Sequence, residues 1–88
     1  MEQLLVAIFF FAGSSEPRVH LHDASNMTLQ QCRGISLSWQ EDADKYYSER
    51  DGMHPDGIVR ETRHFCHVLN AGETRQGVEQ HYKKLRRS

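Results

Sequence analysis

The sequence predicts one small α+β domain, roughly β-α-β-α in order, with an antiparallel or mixed sheet of about three strands, one packed helix and a C-terminal helix. Three observations carry this. The most apolar run, Leu4 to Ala12, is too short for a membrane helix and rich in strand formers. A capped three- and four-residue apolar period begins at Thr28. A β-branched and aromatic run, IVRETRHFCHVL, lies between dense turn signals and a final short helical pattern.

The chain has 88 residues, 38% of them hydrophobic and 26% charged, with only two prolines and six glycines. That is the composition of a folding domain rather than a disordered chain, and at this size about 60 to 65% of the unfolded surface is buried. A single domain over 1–88 is expected, with residues 83–88 as a mobile basic tail. The formal charge of −1 gives no overall basic field for nucleic acid or lipid.

LLVAIFFFA is followed by Gly13, Ser14 and Ser15, as a signal-peptide core would be. The only charged side chain before it is Glu2, so the basic flank of a signal is missing. A buried strand is expected, and with it a soluble cytoplasmic protein; the alternative is export, with residues 1–14 as the signal. No membrane span is expected. Gly13 to Pro17 reads as a turn, and Arg18 to Asp23 alternates Val19 and Leu21 with Arg18, His20 and His22, the period of a half-exposed strand that hairpins with the first.

Thr28 and Gln31 have the form of a capping box. From there Leu29, Cys32, Ile35, Trp39, Ala43 and Tyr46 or Tyr47 define a stripe expected to lie on the sheet, interrupted by Gly34, with Glu41, Asp42, Asp44 and Glu49 on the wet side. Ser48 to Gly57 carries Asp51-Gly52, Pro55 and Asp56-Gly57 and reads as a loop. In the strand that follows, Val59, Phe65 and Leu69 are expected on one face and Ile58, Cys66 and Val68 on the other. Thr74 caps the last helix, whose stripe is Val78, Tyr82 and Leu85, with Glu79 and Lys83 as an i,i+4 pair.

Four sets of residues are candidates for function or for covalent structure. Cys32 and Cys66 are a disulfide candidate, closing a loop of about 35 residues for roughly 3 to 4 kcal/mol; the alternative is two buried free thiols. His20, His22, His64 and Cys66 offer imidazole and thiolate donors from two strands, the ligands zinc prefers, although their spacing matches no known signature. No cofactor is expected otherwise. A Cys66 nucleophile with His64 as base fails on distance, since residues two apart on a strand sit near 7 Å, and no phosphate loop or oxyanion turn is present, so no enzyme is expected.

The remaining two sets concern macromolecular partners. Trp39, Tyr46 and Tyr47 form an exposed aromatic set suited to a protein partner. Lys83, Lys84, Arg86 and Arg87, with His81 and Tyr82 among them, could instead meet phosphate, giving a nucleic-acid-associated regulator as the alternative.

An apolar first strand, Cys32 in LQQCRGI on a helix and Cys66 in RHFCHV on the final strand give a layout, over Leu4 to Cys66, that resembles a loose class of small two-cysteine proteins of bacteriophages and proteobacteria. The long His-rich strand and basic C-terminal helix depart from the usual shorter form. The resemblance implies no activity; it suggests a small accessory protein that acts by binding, and with no catalytic constellation in the chain the expectation is a non-enzymatic interaction module, phage-derived, that binds a bacterial protein or its own copy.

Overall fold

The computed structural model describes residues 2–85. Its elements run β1 (Gln3–Phe11), β2 (Arg18–Asp23), α1 (Leu29–Ser48), β3 (Met53–His54), β4 (Gly57–Val68) and α2 (Arg75–Lys83). The α+β class is as expected. The first β unit is the β1–β2 hairpin, and a fourth strand appears because the segment read as a loop from Ser48 to Gly57 contains β3.

All four strands are antiparallel in the order β2-β1-β4-β3. β1 is therefore central and covered on both faces, which is why it reads as a nearly unbroken apolar run instead of alternating. Removing residues 1–14 would leave β2 and β4 without their shared neighbour. Among the described residues no helix is long and apolar enough to cross a membrane.

The sheet carries one helix on each face. Leu4, Val6, Ile8, Phe10 and Val19 make the larger core with Val78 of α2, and Leu21, Phe65, Leu69, Tyr82 and Leu85 pack around it. The Val78, Tyr82, Leu85 stripe thus lies where the helical period placed it. Thr74 caps α2 by accepting the Gly77 N–H at 3.0 Å.

α1 packs on the opposite face, mainly over β4. Thr28 and Gln31 form the reciprocal capping box, with the Gln31 N–H to Thr28 Oγ1 at 3.1 Å and the Thr28 N–H to Gln31 Oε1 at 2.9 Å. The seam facing the sheet differs from the apolar stripe by part of a turn. Only Cys32 and Ser36 are buried along α1, Gln40 reaches β4, and Trp39 stands at the margin.

One feature corrects the expected β4 faces. The β1–β4 register shifts between Phe10 and Phe11, which pair with Glu61 and Val59, so Arg60 is a bulge residue without an opposite number. Val59 consequently lies opposite Phe11, on the α1 side, and not with Phe65 and Leu69. The loop after α1 then turns through Asp51 (φ 52°) and Gly52 (φ 78°). A Cβ on Gly52 would stand 2.4 Å from the Val59 carbonyl oxygen, so only glycine fits.

Candidate docking surface

In an antiparallel ladder the hydrogen-bonded pairs alternate. Ala24 donates its N–H to Gln3 O at 3.0 Å, which sets the phase for β2: His20 and His22 turn their main-chain groups toward β1, and Val19, Leu21 and Asp23 turn theirs outward. Among the described residues no strand lies on that side, because β2 ends the sheet order. Arg75, from the start of α2, donates to Leu21 O.

The opposite edge is occupied. β3 pairs with Gly57 and Ile58. Where β3 stops, the Gln40 carboxamide behaves as one peptide unit of a further strand, accepting the His64 N–H at 2.8 Å and donating to Thr62 O at 3.0 Å and Thr62 Oγ1 at 3.1 Å. Beyond it, Cys66 is bonded to Cys32 of α1. The outer side of β4 is thus met by a strand at Gly57 and Ile58 and by a side-chain amide at Thr62 and His64, with α1 tied over it at Cys66, which blunts an edge that could template unwanted pairing.

α1 leaves the α1-side face of β2 open. His20 and His22 are exposed there. The Trp39 ring, 39% exposed, meets His22 edge-on at 5.6 Å between centroids and His64 at 6.5 Å. Phe9 forms the floor, touching the rings of His20 (5.6 Å), His64 (6.1 Å), Tyr47 (6.2 Å) and His54 (6.3 Å). Burial, then the Arg18, His22 and His54 charges, hold the His20 imidazole below its ordinary value. Burial does the same for His64 against the opposing pull of Asp44. Both are thus biased toward the neutral, aromatic form at neutral pH. Arg18 closes the far end by pairing with Asp56, whose carboxyl is lowered by that hydrogen bond and charge.

The predicted partner-binding aromatics divide. Trp39 borders the β2 face, Tyr47 turns inward to Phe9, and Tyr46, 49% exposed, lies on the solvent side under the Arg50 guanidinium, 3.7 Å from the ring centroid. The disulfide candidate is formed: Cys32 and Cys66 are bonded, with Ser36 Oγ 3.1 Å from the Cys66 sulfur.

The proposed zinc set loses Cys66 for this reason, since a bonded sulfur is not a thiolate ligand. His20 and His64 both pair with Ala7, from opposite sides of β1, which sets them two strand spacings apart, roughly 10 Å. Among the described residues no three His, Cys, Asp or Glu donors gather as a metal site. Lys83 is the last residue of α2 and Lys84 its exposed C-cap; Arg86 and Arg87 lie outside the described residues.

Sequence reasoning missed Gln40 and Arg75. The signal for Gln40 was its spacing: it follows Cys32 by eight residues, two helical turns, and so shares a face with the one helix residue that the disulfide candidate tied to β4. Nothing local marked Arg75, because its acceptor is 54 residues away.

Compared with known protein families, curated proteins and solved structures, the chain matches none.

Proposed function

We propose that this protein is a non-enzymatic interaction module that binds an extended segment of another polypeptide as an added strand on β2, with Trp39 and His22 flanking the added chain. The observation that carries this reading is the asymmetry of the sheet: β4 is met on its outer side by β3 and the Gln40 carboxamide, while β2, beside an exposed indole, has outward main-chain groups at Val19, Leu21 and Asp23 that no strand of the described residues meets, and of which Leu21 O alone is held by a side chain, that of Arg75. Strand addition derives affinity from main-chain hydrogen bonds and selectivity from alternate side chains, so an added strand would place every second residue against the Trp39, His20 and His22 face. The likeness of layout to two-cysteine phage and proteobacterial proteins supports a bacterial protein or the chain's own copy as the source of that segment.

The test uses a display library of random peptides selected on the purified chain, with binding followed by the fluorescence of the single tryptophan. Leu21→Pro removes an outward N–H that takes no part in the β1–β2 ladder, so the ladder keeps its bonds while the added strand loses a donor, and circular dichroism checks that the variant folds. Selected peptides are expected to bind the wild type and to lose at least about tenfold in affinity on Leu21→Pro and on Trp39→Ala, the range of one lost hot-spot group. Peptides that bind all three proteins equally overturn the reading. Nucleic acid recovered from lysate, released by high salt and absent when residues 83–88 are removed, would replace it with the regulator reading built on the basic C-terminus.

A further inference from the structure

β2 is self-complementary when laid antiparallel on itself. About a two-fold axis through Leu21, Leu21 faces Leu21 of the second copy and Val19 faces its Asp23. These are the residues whose main-chain groups point outward, so each such pair exchanges both N–H···O bonds. The same register sets His20 beside the second copy's His22, on the face that carries Trp39, and brings the two Leu21 side chains together at the margin of the α2-side core. Paired residues keep to one face throughout, so no side chain is forced through the sheet.

The charges select this orientation. A parallel arrangement in register would set Arg18 beside Arg18 and Asp23 beside Asp23 on one face, whereas the antiparallel one separates each like pair, Arg18 keeping to the α1 side with Asp56 and Asp23 to the α2 side. Arg75, which donates to Leu21 O in the single chain, stands on the α2 side of the sheet, the side to which the second copy's Asp23 also turns. A carboxylate is therefore at hand for the guanidinium when the strand displaces it from the carbonyl.

We infer that a second copy of this chain occupies the β2 edge, forming a two-fold dimer with one sheet running through both β2 strands. The inference rests on the reading of β2 as a docking edge and names its occupant. The two-fold axis uses the β2 edge of each copy once, and β3 and the Gln40 carboxamide meet the other side of the sheet, so the assembly closes at two copies.

The experiment is light scattering on the purified full chain after size exclusion, at neutral pH and several protein concentrations. The expected mass is twice the 10.2 kDa of one chain, falling toward one chain on dilution, and Leu21→Pro is expected to stay at one chain throughout. Circular dichroism and melting check that this variant folds.

Should it fail to fold, a mixed sample of isotope-labelled and unlabelled wild-type chains replaces it, with filtered nuclear Overhauser contacts between Val19 of one copy and Asp23 of the other as the expected result. A single-chain mass at every concentration overturns the inference, and so does a dimer lacking those contacts or persisting in folded Leu21→Pro. A single chain that still takes up peptides in a Leu21-dependent way leaves the docking edge standing while removing the second copy from it.

Discussion

Replacing Gln40 by alanine is the most direct probe of how this fold closes its sheet. The carboxamide makes two main-chain hydrogen bonds to β4, at 2.8 Å to the His64 N–H and 3.0 Å to Thr62 O. Thr62 is only 7% exposed, so its carbonyl is poorly placed to find water when the amide is removed, whereas His64 is half-buried and partly recoverable. An orphaned buried group costs about 1 to 3 kcal/mol, and weighting the two sites by their access to water gives a loss of about 2 kcal/mol. For a domain of this size that corresponds to a fall in Tm of roughly 8 to 16 °C.

The assay is urea unfolding with calorimetry, using the exposed Gln76→Ala as a control expected to stay within about 0.5 kcal/mol of wild type. Light scattering on heating should rise for Gln40→Ala, because Thr62 and His64 then present free edge groups. Gln40→Glu sharpens the test. It keeps an acceptor for His64 but sets a carboxylate oxygen against the Thr62 carbonyl, and protonation restores a donor, so this variant should gain stability relative to Gln40→Ala as the pH falls below about 5. A Gln40→Ala protein within about 0.5 kcal/mol of wild type, with no pH-dependent gap between the two variants, would refute the sealing role.

Three further outcomes are expected. Reducing the Cys32–Cys66 bond, whose partners are 34 residues apart, should lower stability by about 4 kcal/mol on the chain-entropy account, read as the shift in urea midpoint with and without reductant; a shift of under about 1 kcal/mol would mean that α1 is held to β4 by packing alone. Gly52→Ala should cost more than about 1 kcal/mol because its φ of 78° and the Val59 carbonyl both exclude a Cβ, whereas Gly34→Ala, exposed in mid-helix with nothing within 4 Å, should add up to about 1 kcal/mol; equal Tm values for the two variants would contradict this. His20 and His64 have folded values below 6.5, so the unfolded chain takes up protons first: their contribution is intact above about pH 6.5 and is lost as the pH falls through the folded values, giving a Tm that declines toward pH 5 and a flatter profile in His20→Asn/His64→Asn. An unchanged profile in that double variant would remove these histidines from the account.

The elements legible in the sequence are those whose signals are local. The capping box at Thr28, the Thr74 cap, the Val19 and Leu21 alternation and the Val78, Tyr82, Leu85 stripe each depend on residues a few positions apart, and each appears where its spacing places it. The α1 seam was misplaced by part of a turn because Ile35 and Trp39 are apolar while their neighbours Ser36 and Gln40, which meet β4, are polar. Hydrophobic periodicity locates a helix face only to within such a neighbouring pair. The candidate docking surface was legible in part: Trp39 and the exposed β2 histidines were visible, but which sheet edge stays open was not.

By itself, then, the sequence determined the α+β class, both helix starts, the β1–β2 hairpin and the pairing of Cys32 with Cys66 as one of two alternatives. Only the tertiary structure decided the bulge at Arg60 that turns Val59 to the α1 side, the short β3, the bond itself, and the sealing of β4 by Gln40 that leaves β2 as the open edge. The physical reason is range. Caps and amphipathic periods are set by neighbours within one or two turns, whereas strand order, bulges and edge protection depend on groups brought together from 20 or more residues away, such as Gln40 and His64 with a separation of 24.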